Sequence, residues 1–131
     1  MKIESLKGFF ADGTSLDVLR LDLPDPLTGG NKSFKLKYNI LEMKSSGLKK
    51  LVTFGGAFSN HIAAVAAAGK KENIQTTGII RGDELAKDSN AVLKFASSCG
   101  MDFHFVSREK YRERNNSGFL ESILQNRRMD Q

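Results

Sequence analysis

Two groups in this chain, about one βα unit apart, could do chemistry. Lys32 follows the glycine pair in GGNKSFKLKYN, and Ser59 opens Ser-Asn-His after the glycine pair in TFGGAFSNH. A lysine amine is a nucleophile only when deprotonated, and its ordinary pKa is about 10.4. Neighbouring cations and the positive end of a helix both disfavour the ammonium form. The spacing predicts both for Lys32, because a helix begins there and Lys35 lies one turn on along the same face. An amine placed in this way suits attack on a carbonyl compound. Taken alone, a lysine at a helix start is more commonly a surface charge.

The second stretch predicts a strand, a glycine turn and a helix that opens on Ser59 and Asn60. Free backbone N–H groups at such an end suit a carboxylate or a phosphate. Ser59 is equally suited to be a plain N-cap. The glycines fit neither the dinucleotide fingerprint nor the P-loop pattern. His61 has no partner at metal-ligand spacing, and His104 sits inside an apolar strand as a core or edge residue, so no metal is expected. The single cysteine, Cys99, cannot form an internal disulfide, which points to a reducing compartment, with the cytoplasm as default. Its place at the end of an apolar helix predicts a small buried hydrophobe.

The elements that must position these groups follow from periodicity. Residues 1–14 carry little signal beyond a turn at Asp12 and Gly13. Residues 16–23 (LDVLRLDL) read as a strand. Pro24, Pro26, Gly29 and Gly30 make a loop. A helix is expected over 32–46, with Phe34, Leu36, Ile40, Leu41 and Met43 on its buried side and Gly47 ending it. A strand follows at 50–54, then a turn at Gly55 and Gly56. The alanine-rich helix over 59–68 should pack close to a sheet face, ending or fraying at Gly69. A strand at 75–80 and a helix at 89–98 come next. Asp88 or Ser89 should cap that helix, with Ala91, Val92, Phe95 and Ala96 inward. A strand at 102–106 completes a βαβαβ alternation, which implies an α/β fold with a parallel sheet and right-handed crossovers. Beyond Ser107 the chain is charged. Phe119, Ile123 and Leu124 mark one short amphipathic helix, and the last six residues should fray.

At 131 residues, with 40% apolar and 27% charged, the composition is that of an ordinary globular domain. The net charge of +5 is concentrated in residues 31–50, where six lysines face one glutamate. Lys37, Lys44, Lys49 and Lys50 are interleaved with a helical apolar pattern, so a solvated face is expected rather than a nucleic-acid surface. No signal peptide or membrane-length apolar run is present.

Taken together, GGNKSFKLKYN, LVTFGGAFSNHIAAVAAAGK and GIIRGDE resemble the pyridoxal-phosphate-dependent family of 1-aminocyclopropane-1-carboxylate deaminase and D-cysteine desulfhydrase. The resemblance runs from about Leu19 to Arg112. It implies the small domain of a tryptophan-synthase-β-like (fold-type II) enzyme, a three-layer parallel sheet with flanking helices. Residues 1–31 would be a strand and loop that pack on a large domain, and residues 32–131 the small domain. The implied cofactor is pyridoxal phosphate, with Lys32 as Schiff-base lysine and Asn31 and Lys35 in the same cofactor-facing turn. Asn60 would hydrogen-bond the cofactor's ring oxygen. Ser59, Asn60 and His61 would grip the substrate carboxylate.

The implied partner is a small amino acid, with no nucleic acid and no membrane, and the full-length family leaves room for a homodimer. In the family the phosphate cradle, the partner of the pyridine nitrogen and the active-site tyrosines come from later chain. Tyr38 and Tyr111 lie in the wrong contexts to replace them. The resemblance therefore implies an N-terminal portion only, with weak hold on the cofactor and little activity alone. The alternative from the residues is a non-catalytic α/β interaction domain with vestigial motifs.

Overall fold

The computed structural model describes residues 1–8, 10–23 and 31–129, with Leu124 and residues 126–129 described by backbone alone. The expected loop at 24–30, the burial of Leu124 and the last two residues of the tail lie outside the described residues. Two compact units form, Met1–Leu48 and Lys49–Gln131, and each is taken by itself. The sequence-based division at residues 31/32 rested on which segment a large domain would receive, and it stays an expectation.

The first unit opens with an unexpected strand. β1 (Lys2–Leu6) pairs antiparallel with β2 (Leu16–Arg20), setting Ile3 opposite Leu19 and Leu6 opposite Leu16. Ile3 is 63% exposed. No core face imposes an alternation on β1, so its sequence gives no strand signal. The strand expected over 16–23 stops at Arg20. There the Leu21 N–H returns to the Leu19 carbonyl at 3.0 Å, and the Arg20 guanidinium forks onto Asp22 at 2.9 and 2.6 Å. Polar contacts lace the hairpin: Arg20 also reaches Glu4 at 2.9 Å, Lys2 meets Glu4 at 2.8 Å, and the Ser5 hydroxyl donates to Asp17 at 2.6 Å. The Arg20 hydrogen bonds hold the Asp22 carboxyl down at about 2, and bonds from Lys2 and Arg20 lower that of Glu4.

Helix α1 (Lys32–Ser45) starts after Asn31 and ends where expected. Gly47 takes φ +69°, its N–H bonding the Lys44 carbonyl and the Leu48 N–H bonding that of Met43, which is a Schellman closure. Leu36 and Met43 are buried and Ile40 half-buried, a stripe at i, i+4, i+7. Phe34 and Leu41, expected on that side, are exposed. With Tyr38 they form a second stripe of the same spacing on the opposite face.

The second unit holds the parallel sheet, in the order β3-β4-β5. β3 spans Lys50–Gly56, α2 Asn60–Glu72, β4 Gln75–Arg81, α3 Ala91–Ser98 and β5 Asp102–Val106. Gly55 and Gly56 still pair with Ile80 and Arg81, so they end the strand and the turn falls on Ala57 and Phe58 instead. Strand alternation sends Val52, Phe54, Ile79 and Val106 to one face and Thr53, Thr76 and Ile80 to the other. α2 and α3 pack together on the Thr53 side. The opposite face carries α5 (Phe119–Met129), whose Phe119 and Ile123 are buried with Ile79 and Val106. Helices on both faces make the three layers of an α/β fold.

α2 is the most buried helix among the described residues, with Ile62, Val65, Ala66 and Ala67 all at or below 5% exposure. It runs past Gly69, where an end was expected, to a left-handed cap at Asn73 (φ 54°). Gly69 is there for closeness: a Cβ would strike the Thr76 methyl and come 2.9 Å from the Ile74 carbonyl oxygen. α3 buries Leu93 and Ala96, leaves Val92 and Phe95 half-buried and exposes Ala91, so its inward face is narrower than expected. Its cap is Asn90 rather than Asp88 or Ser89. Cys99, expected buried, caps the C-terminal end of α3 and is half-exposed. His104 is half-buried in β5, flanked by Phe103 and Phe105. The charged segment after Ser107 contains a short helix, α4 (Arg108–Arg112), and a 3-10 turn at Glu113–Asn115. α5 continues to Met129, where fraying was expected.

Candidate functional site

The carboxyl ends of the three parallel strands carry the starts of three helices. Ser59, Asn90 and Ser107 cap α2, α3 and α4, their side-chain oxygens accepting from Ile62, Leu93 and Lys110 N–H groups at 3.4, 3.0 and 3.1 Å. A crevice outside the carboxyl ends of parallel strands is where α/β folds bind ligands. Of the three caps the Ser59 bond is the longest, near the limit for a hydrogen bond. The Ser59 hydroxyl is therefore the least committed of the three.

The local route to Ser59 is set by β3. Its last residues are glycines, and a Cβ at Gly55 would come 2.5 Å from the Ile62 side chain and 3.2 Å from that of Ser59. The absence of a side chain lets the first turn of α2 close directly over the strand end. The Ser59 N–H then returns to the Gly56 carbonyl at 3.1 Å. Ser59 and His61 are half-buried, Asn60 is exposed, and Phe58 beside them is 78% exposed. Sequence reasoning missed Thr53. Only 8% exposed, it sets its Oγ1 2.9 Å from His61 Nε2. A hydroxyl within the apolar run LVTF was the available signal.

Lys32, Asn31 and Lys35 belong to the first unit. Asn31 precedes α1 at φ −82° and ψ 2°, makes no side-chain capping bond, and accepts the Lys35 N–H at its carbonyl at 3.2 Å. Lys32 is half-buried, whereas Asn31 and Lys35 are exposed. The first turn of α1 holds no acidic residue, and neither does that of α2. Each helix start thus offers N–H donors without a competing carboxylate, and α1 adds the lysine side chains of Lys32 and Lys35 one turn apart. Such donor sets fit an anionic ligand, a phosphate or a carboxylate, better than a metal ion. The structure brings Lys32 together with Lys35, and Ser59 with Asn60 and His61.

Other contacts support the sheet's carboxyl edge. Gly82, at φ +125°, donates its N–H to the Val106 carbonyl at 2.7 Å, and Glu84 meets Arg108 at 2.7 Å. The Glu84 carboxyl is lowered, chiefly by a backbone hydrogen bond and then by Arg108. Among the described residues no three His, Cys, Asp or Glu side chains converge as a metal site would require, and no helix is long and apolar enough to cross a membrane.

No protein-family model matches the chain. Among curated proteins, it is 30% identical over 104 residues to a mitochondrial bifunctional D-cysteine desulfhydrase/1-aminocyclopropane-1-carboxylate deaminase of Arabidopsis thaliana, covering 76% of this chain and 26% of that protein. A Pyrococcus abyssi protein provisionally named as a 1-aminocyclopropane-1-carboxylate deaminase is 36% identical over 75 residues, 57% of this chain and 23% of its own length. One of the same provisional name from Thermotoga maritima is 30% identical over 99 residues, 76% of this chain and 31% of its own. The chain thus spans about a quarter to a third of the length of these relatives. Over that stretch it is similar to proteins named as 1-aminocyclopropane-1-carboxylate deaminases and D-cysteine desulfhydrases.

Proposed function

We propose that this chain carries the lysine-bearing helix and the carboxylate-binding helix end of a pyridoxal-phosphate-dependent enzyme. That enzyme releases ammonia from a small amino acid, 1-aminocyclopropane-1-carboxylate or D-cysteine, with sulfide also leaving in the second case. Lys32 would hold the cofactor at its aldehyde, with Asn31 and Lys35 beside it and Asn60 donating to the ring oxygen. When bound, the cofactor supplies an electron sink for the substrate's α-carbon. Lys32 Nζ, once released, moves the substrate proton. Ser59 Oγ and the N–H groups of Asn60 and His61 bind and orient the substrate carboxylate. The reaction belongs to the cytoplasm on this reading, in keeping with a chain holding one cysteine.

The observation that supports this most is the Ser59 helix start. It stands at the carboxyl edge of a parallel sheet, lightly capped at 3.4 Å and free of acids in its first turn. The test adds pyridoxal phosphate to the 131-residue chain, follows the visible absorbance of the lysine adduct, and assays ammonia and sulfide release from both substrates. Adduct formation at low affinity, lost in Lys32→Ala and without useful turnover, is the expected result. An adduct spectrum unchanged in Lys32→Ala would overturn the assignment. A second reading, a non-catalytic interaction module, draws on the exposed stripe Phe34, Tyr38 and Leu41 of α1. It requires no adduct at Lys32 at all.

A further inference from the structure

We infer that Thr53 is a positioning residue for His61, fixing the orientation of its imidazole at the start of α2. Two neighbouring contacts dock this first turn onto β3. In one, Ile62, fully buried, lies over Gly55, where a Cβ would come 2.5 Å from its side chain. In the other, Thr53, two residues earlier on the same face of β3, meets His61 Nε2 at 2.9 Å. The apolar contact fixes the height of the helix on the strand. The polar contact fixes the rotation of the ring, because the hydroxyl holds Nε2 in place in either tautomer, donating to a bare nitrogen or accepting from an N–H. Thr53 is only 8% exposed. Its hydroxyl cannot exchange the imidazole for bulk water without leaving a buried polar group unsatisfied, so the arrangement is held from both sides. Ser59 and Asn60 stand immediately before the anchored residue, and the aim of their N–H groups follows from the same docking.

The consequence for the carboxylate rests on the reading given under Proposed function, whereas the ring geometry does not. The experiment separates the two. Imidazole 15N spectra of the full chain are compared for wild type, Thr53→Val, which keeps the branched shape and removes the hydroxyl, and Thr53→Ser, which restores it. Wild type should show a His61 Nε2 signal displaced by its hydrogen bond to Thr53. Thr53→Val should move the Nε2 signal, as loss of its hydrogen-bond partner requires, and Thr53→Ser should recover the wild-type signals. Ring nitrogens of His61 that are identical in wild type and Thr53→Val would overturn the inference.

In the same samples 1-aminocyclopropane-1-carboxylate is titrated while the amide signals of Ser59 to Ile62 are followed. Thr53→Val should weaken binding about 2- to 10-fold, the range one net hydrogen bond allows, with Thr53→Ser within about 2-fold of wild type. Binding equal in all three would confine Thr53 to the ring and remove its effect on the site. A carboxylate that shifts no amide even in wild type would count against the carboxylate reading alone. The ring spectra would then still decide the role of Thr53.

Discussion

The two units of this chain hold together by different physics. The Lys49–Gln131 unit stacks fully buried Ile62, Ile79, Ile80 and Leu93 on the two faces of a three-stranded sheet. The Met1–Leu48 unit has Leu36 and Met43 as its buried apolar residues among those described, and its hairpin is laced by Arg20, Glu4, Asp22 and Lys2 at the surface. Burial of apolar side chains stabilises by about 1.5–3 kcal/mol each, whereas exposed ion pairs contribute about 0–1 kcal/mol. The well-buried sheet unit carries the helix end proposed to bind the carboxylate, and the lightly packed unit carries the lysine proposed to hold the cofactor.

The contrast is broken most strongly in the core. Ile79→Ala should cost about 2–5 kcal/mol of unfolding free energy, while Ile3→Ala at the exposed hairpin position should stay within about 0.5 kcal/mol. Denaturant melts of both variants measure this, and comparable losses would erase the distinction between the units. Gly69→Ala comes next. Alanine's helix propensity favours it by about 1 kcal/mol, but the new methyl meets a backbone carbonyl that cannot swing away. Overpacking should win, for a net loss of about 1–3 kcal/mol and a disturbed α2–β4 contact.

How much of this was legible depended on what the burial pattern writes into a sequence. The central strand β4 is buried on both faces, so QTTGII reads as a continuous strand, and the alanines of α2 announce close packing. The hairpin strand β1 was not legible, since neither of its faces is buried enough to force a pattern. α4 escaped because five charged and aromatic residues carry no periodicity. The glycines at 55 and 56 were read as a turn because composition cannot distinguish a turn glycine from one kept bare for a neighbour. Ser59 could be found from local sequence. Its supporting contact, Thr53 to His61, could not, because it depends on how α2 settles across β3.

Smaller effects sharpen the comparison. Ser59→Ala removes a long capping bond and should cost no more than about 0.5 kcal/mol, whereas Asn90→Ala, with its 3.0 Å bond, should cost about 1 kcal/mol. A larger loss at Ser59 than at Asn90 would mean that Ser59 is primarily structural. The smallest effect is electrostatic. Asp22 titrates at about 2 in the fold against an ordinary 3.8, and Glu4 is lowered too, so their contribution is present above the ordinary carboxylate range. It is lost as the pH falls from that range through about 2, because there the unfolded chain binds more protons than the fold does. Amide spectra through this range should show the hairpin signals changing before those of β3 and β4, with salt weakening the hairpin further.

The central claim is that the Lys32 amine is the group set apart from the other lysines of this basic chain. The direct measurement is to incubate the chain with a limiting amount of pyridoxal phosphate, trap the adduct with borohydride and map it by peptide mass spectrometry. The account predicts label concentrated on Lys32, with Lys37, Lys44, Lys49 and Lys50 near background and the label suppressed by competing inorganic phosphate. Label spread evenly over those exposed lysines, or concentrated on one of them, would contradict it.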